Sequence, residues 1–394
     1  MDIDRMKRKR AVVRTSTTKL LNDIATMEDD ASLELIDLLI NFRTYNIGIV
    51  ADIEKAFLQI SLSEGDRNAV RFLWYAATPK KGEELPAVAA YRMTRVPFGV
   101  TSSPFLLAAT LRHHLEGLPE QYAETANILR SHLYVDDLVT GVDTLEQGKV
   151  LCQESSDILS QAGMRLHKWM SNDHDLVNFI EDGNVAKRNA NAELPAATKS
   201  RQQEIRIASL SQNFRPLGFI APTTLYVKTM FQRLWELGAG WDDPLPELMQ
   251  AEWKCWCEEL QCIKAVSIPR IIARDFRDEK TEKVLHIFCD ASPKAYGAVG
   301  YVACKSAQGI INISLIMAKS RVAPLKRLSL PRLELMGALI GARLCHYVAK
   351  ALNLQNAAAI LWTDSTVAMH WIKGNAARWK PFVAKPSIRG SGAD

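Results

Sequence analysis

Leu133-Tyr134-Val135-Asp136-Asp137-Leu138-Val139 reads as a strand, an acidic turn and a second strand. Adjacent carboxylates repel and resist burial, so two of them at a strand turn call for a cation. An exposed hairpin turn also favours aspartate, and the pair alone fits either reading. A third acid, Asp52, ends the apolar run Asn46-Ile47-Gly48-Ile49-Val50-Ala51. Two strands bringing three carboxylates to one spot provide hard oxygen ligands for two divalent cations about 4 Å apart.

Between these acids lie pieces suited to other tasks. Glu54–Ile60 turns helical, Asn68–Ala76 and Val88–Met93 read as strands, and 78–85 is a Pro/Gly/Lys loop tip. Arg95-Val96-Pro97-Phe98-Gly99-Val100 opens a helix over 105–115, with glycine permitting close backbone approach to a ligand. In this arrangement Asp52 and Asp136 would bridge two metals and Asp137 would support or ligate beside them. Phe98 and Gly99 would form a floor under a nucleotide and its template base, with Phe57 near the sugar. Helices are expected over 33–42, 122–132 and 144–162, with a closing strand at 164–169. Residues 173–204 carry few large apolar residues and read as a linker.

At 394 residues the chain has room for two or three domains, and 47% hydrophobic content suffices for their cores. No apolar run approaches the roughly 18–20 residues of a membrane span, and the start lacks a secretory apolar region. The expectation is an intracellular protein, in a cytoplasmic particle or the nucleus. Seven cysteines without a regular framework suggest reduced thiols. Cys255, Cys257 and Cys262 lack a zinc spacing and fall on a Trp-rich helical pattern, where packing explains them. The net charge of +5 permits a nucleic-acid partner.

A further unit begins near Lys283 with the order strand 284–289, strand 296–304, strand 310–318, helix 332–350, strand 358–363, helix 365–373. Asp290 and Asp364 end two of its strands, and Glu334 lies early in the long helix. Singly, each is an ordinary strand-end or first-turn acid. Together they form a second cradle for two divalent cations, suited to activating water against a phosphodiester.

Ala51-Asp52-Ile53-Glu54-Lys55-Ala56-Phe57, Val96-Pro97-Phe98-Gly99 and Tyr134-Val135-Asp136-Asp137 resemble the palm motifs of retrotransposon reverse transcriptases, in the style of the BEL/Pao class of LTR elements. Leu166-His167-Lys168-Trp169-Met170-Ser171-Asn172, Phe214–Pro222 and Trp241-Asp242-Asp243-Pro244 add to the likeness. The C-terminal unit resembles the ribonuclease H domain that follows in such polyproteins.

The resemblance implies an α+β polymerase palm with an antiparallel sheet and helices, a helical connection region, and an α/β ribonuclease H-like domain with a mixed sheet. It divides the chain into a Gag-like basic segment (1–30), palm with partial fingers (31–172), linker or degenerate thumb (173–204), connection (205–280), ribonuclease H-like domain (281–384) and tail (385–394). It implies RNA-directed DNA synthesis and hydrolysis of RNA in hybrids, with Mg²⁺ or Mn²⁺ held by Asp52, Asp136, Asp137, Asp290, Glu334 and Asp364. Nucleotide and template would be met by Phe57, Phe98, Gly99 and Tyr134. The implied partners are an RNA template, a DNA primer, the RNA–DNA hybrid and deoxynucleoside triphosphates. Only 51 residues precede Asp52, which leaves little of the family's fingers, and no fourth ribonuclease H acid follows Asp364 outside the tail. These departures keep two alternatives open: a silent relic that only binds nucleic acid, and a nuclease-only remnant.

Overall fold

The computed structural model describes residues 35–78, 85–184, 204–205, 216–240, 243–265, 267–375, 378 and 382–383. The basic segment 1–30, the loop tip at 79–84 and the tail lie outside them. The chain divides into two compact units, residues 1–38 with 47–197, and residues 39–46 with 198–394.

After helix α1 (35–42), the first unit runs β1 (Ile47–Ile53), α2 (Ala56–Gln59), β2 (Arg71–Tyr75), β3 (Val88–Arg92), α3 (Ser103–Glu116), α4 (Ala123–His132), β4 (Leu133–Tyr134), β5 (Asp137–Val142), α5 (Leu145–Gln161), β6 (Leu166–Ser171) and α6 (His174–Phe179). Its main sheet has the order β4-β5-β1-β6, antiparallel throughout. Period-2 alternation sends Ile47, Ile49, Ala51 and Ile53 into the core, with Leu138 of β5 and Leu107, Leu129 and Ile158 of α3, α4 and α5. Val50 and Asp52 therefore take the opposite, half-buried side of β1. Thr144 begins α5 with a capping box, its hydroxyl accepting from Gln147 N–H while the Gln147 side chain accepts from Thr144 N–H.

Residues 174–179, expected as linker, form α6 instead. The Asp173 carboxylate accepts from Leu176 N–H as N-cap, and Leu176 is fully buried beside Gly148. One buried leucine and one cap hold a helix that a sparse apolar pattern did not announce.

The second unit contains β7 (Glu204–Ile205), α7 (Ala221–Glu236), α8 (Glu247–Glu259), β8 (Ile268–Pro269), β9 (Glu282–Ala291), β10 (Ala295–Lys305), β11 (Ile311–Val322), α9 (Leu330–Ala351), β12 (Ala358–Thr363) and α10 (Thr366–Lys373). Its sheet has the order β11-β10-β9-β12, with β12 parallel to β9 and the other pairings antiparallel, so it is mixed. Leu285 and Ile287 of β9 are fully buried, as are Leu333, Leu344 and Val348 of α9. On β9 and β12, Phe288 and Trp362 stack in the open, with ring centroids 5.8 Å apart. Cys255 and Cys262, expected to pack, are exposed on and just after α8, which buries Met249 instead.

Two arginines knit this unit from distant parts of the chain. Arg43, 1% exposed, donates to the carbonyls of Arg270, Leu315, Ile316 and Pro269. Arg270 donates in return to those of Phe42, Tyr45 and Asn46. Burial, followed by the neighbouring Arg270 charge, lowers the Arg43 guanidinium to about 10. Among the described residues no helix is long and apolar enough to cross a membrane.

Candidate functional site

Asp52 sits late in β1 directly across from Asp137, the first residue of β5. Opposed like charges weaken a strand pair. The turn residue Val135 takes φ 57°, and Ile53 N–H donates to the Asp136 carbonyl at 2.8 Å, tying the acidic turn to β1. Partial burial, joined by the Asp52 charge, raises Asp136 above the ordinary carboxylate range. Burial, then the Asp136 and Asp52 charges, raise Asp137 likewise.

Strand β6 supplies a cation. Lys168 Nζ stands 2.6 Å from Asp52 Oδ2, His167 Nδ1 is 2.8 Å from the Asp52 carbonyl, and His167 Nε2 is 4.0 Å from the carboxylate. Val50 faces Met170 but Asp52 faces His167, so Lys168 and Trp169 together oppose Ala51 in a bulge. Lys168 takes φ 52° there, a left-handed conformation that costs a side chain about 1–2 kcal/mol.

The remaining expected residues of this unit lie on α2, in the turn before α3, and on β4. Phe57 is buried in the core and meets the exposed Phe98 edge-on, with centroids 4.9 Å apart. Gly99 follows at φ 80° with open space where a Cβ would lie. Tyr134 is half-buried on β4.

In the second unit, Asp290 lies near the end of β9, Glu334 in the second turn of α9, and Asp364 just after β12. The Ser365 hydroxyl accepts from Ala368 N–H, capping α10 and fixing the chain next to Asp364. These three acids each bring a carboxylate oxygen within 4.8 Å of the other two. It is the one such group among the described residues; Asp52, Asp136 and Asp137 do not make another. Glu334 is 7% exposed and its buried Oε2 has no hydrogen-bond partner. Burial first, then the Asp364 and Asp290 charges, raise its pKa. A buried, unmatched carboxylate oxygen beside two exposed acids suits a hard divalent cation.

The helix reaches this position through two glycines that sequence reading passed over. A Cβ on Gly341 would fall 2.1 Å from Cys289 Sγ, and one on Gly337 would fall 3.1 Å from the Asp290 carbonyl. The signal was present as Gly-x3-Gly on the face that carries Leu333 and Leu344. Lys168 and His167 were quoted as a motif, but the bulge that aims them leaves no mark in side-chain pattern.

Residues 7–169 match the reverse transcriptase (RNA-dependent DNA polymerase) family, and residues 203–365 match the Pao retrotransposon-like RNaseH-like domain. No curated relative matches the chain. Solved structures of foamy viral protease-reverse transcriptase resemble it at 16% identity. One, in complex with an RNA/DNA hybrid, aligns over 91% of this chain and 44% of its own, with a TM-score of 0.47. Another, a dRH form with double-stranded DNA, aligns over 90% and 56%, also at 0.47. The chain thus spans about half the length of these structures. By these two matches, residues 7–169 are similar to a reverse transcriptase domain and residues 203–365 to a Pao retrotransposon-like RNaseH-like domain.

Proposed function

We propose that this chain is the polymerising and hybrid-cleaving part of a retrotransposon polyprotein, working on RNA template, DNA primer and deoxynucleoside triphosphates with Mg²⁺ or Mn²⁺. The observation that carries this reading is the gathering of Asp290, Glu334 and Asp364 around a buried, unpartnered Glu334 Oε2. Divalent cations bound there supply Lewis-acid charge and an activated water for phosphodiester hydrolysis. Glu334 anchors from the protein side, and the exposed Asp290 and Asp364 face the solvent from which a hybrid would approach. In the first unit, Asp52, Asp136 and Asp137 are the metal-holding acids for nucleotide addition, and Phe98 with Gly99 offers an open surface for the nucleotide. Carboxyls whose pKa is raised by partial burial and by neighbouring carboxylate charge, as at Asp136 and Asp137, would be relieved by a cation.

A nuclease-only reading has one observation in its favour: the acids of the first unit are not drawn into a compact group while those of the second are. Two assays separate the readings. Cleavage of the RNA strand in a labelled hybrid is expected with Mg²⁺ and should fall to background in Asp290→Asn. Extension of a DNA primer on RNA is expected to persist in Asp290→Asn and vanish in Asp136→Asn. Cleavage without any extension would leave the nuclease-only reading standing, and neither activity would reject both.

A further inference from the structure

We propose that the free edge of β12 is an interface for a second copy of this chain, which pairs there strand to strand, antiparallel, about a two-fold axis. The observation that carries it is an uncharged, exposed edge strand in a sheet whose opposite edge is covered.

The sheet of the second unit has two edges, β11 and β12. A bare strand edge offers a row of main-chain donors and acceptors to any other strand, and folded proteins blunt it with charge, a bulge or a covering segment. Edge β11 has all three. Lys319 and Arg321 lie along it, its register with β10 shifts at Gly300 and Tyr301, Ala318 N–H donates to the Leu217 carbonyl at 2.8 Å, and Arg43 takes the Leu315 carbonyl. Edge β12 has none of them among the described residues. Ala358–Thr363 contains no charged residue and no proline, and its register with β9 is unbroken. Ile360, Leu361 and Trp362 are 40%, 46% and 47% exposed. Trp362 stacks on both His286 and Phe288, so an open aromatic face adjoins the open edge.

The chemistry of the edge selects its occupant. An extended peptide satisfies the main-chain groups, whereas a strand without arginine or lysine gives a phosphate backbone nothing to hold. A second β12 meets both conditions. In antiparallel pairing with Leu361 opposite its counterpart, Ile360 of each copy faces Trp362 of the other and Asp364 faces Ala358, so no like charges meet. Side chains exposed in one copy cover one another in two. The two-fold contact closes on itself and leaves no bare edge to propagate a fibre. Six residues a side fall well short of the ~1,600 Å² of a standard interface, so the dimer is reversible and depends on concentration. The two acidic groups then stand at opposite ends of the junction, the exposed Asp364 of one copy about 20 Å from that of the other.

The test is sedimentation velocity of the full chain over a wide range of concentration, in reducing buffer so that the exposed Cys255 and Cys262 do not cross-link. The wild type should pass from monomer to dimer as concentration rises. Leu361→Lys and Leu361→Glu each set like charges opposite one another, and each should raise the dissociation constant about tenfold. An equimolar mixture of the two should recover the dimer, because lysine then faces glutamate, and that recovery also shows that both variants fold. A wild type that stays monomeric at every concentration overturns the proposal. So does a dimer that Leu361→Lys leaves intact, which must join elsewhere, and so does a mixture that fails to recover.

Discussion

Glu334 shows how a carboxylate can be unfavourable alone and useful in company. Its pKa is raised by burial and by Asp364 and Asp290, so the folded protein binds its proton more strongly than the unfolded chain does. For such a group, stability is greatest where the carboxyl stays protonated and falls as pH rises from the ordinary carboxylate range through the raised folded value. Metal-free protein should therefore lose thermal stability over that interval, and Glu334→Gln should flatten the loss. Melting curves in chelator at pH 4.5 and pH 7.5 would measure it. Mg²⁺ should restore the wild type at the higher pH and leave Glu334→Gln unmoved; equal slopes for the two proteins would show that Glu334 is not the group responsible. Arg43 presents the opposite case, a buried cation met by main-chain carbonyls. Arg43→Met should destabilise the second unit by about 1–3 kcal/mol for each carbonyl left unmet, less what water recovers, as read by urea unfolding of the intact chain.

Among the elements, α9 has the narrowest tolerance. Gly341→Val would drive a side chain into Cys289 Sγ, which lies 2.1 Å from where a Cβ would stand. The expected loss is about 1–3 kcal/mol in the second unit's unfolding transition. Cys289→Ala in the same chain should recover much of it, because the nearest obstacle is that sulfur; failure to recover would place the conflict in the backbone. The elements also show what the sequence could reveal. Strands expected at 284–289, 296–304 and 358–363 fall within or coincide with β9, β10 and β12, because long apolar alternation bounded by turns leaves little choice. The helix expected over 144–162 matches α5 within a residue at each end, and Thr144 and Gln147 wrote its start in the sequence. What stayed hidden had other causes. Helix α6 depends on one cap and one buried leucine, too little for any periodic pattern. The grip of Lys168 on Asp52 depends on a strand bulge, and the setting of Glu334 depends on glycines whose meaning appears only once β9 lies beneath them. The acids themselves were legible as strand-end, turn and helix positions, whereas their spacing was not: among the described residues only Asp290, Glu334 and Asp364 are drawn together, and Asp52 is paired with Lys168.

At the scale of the molecule, two acidic groups lie in two compact units, which is why single substitutions are expected to divide the two proposed activities rather than abolish both. The division of the chain between those units is not one cut. Residues 39–46 belong with the C-terminal unit, and Arg43 reaches a carbonyl 227 positions further along. During synthesis this arginine therefore leaves the ribosome long before the strands whose carbonyls it will serve. The last-made half can complete its interior only by taking back a piece of the first-made one. A chain started at residue 198 would contain the whole second acidic group yet lack the strap that ties Pro269, Arg270 and Leu315 together, and an internal break after residue 46 would separate that strap from β1, which carries Asp52.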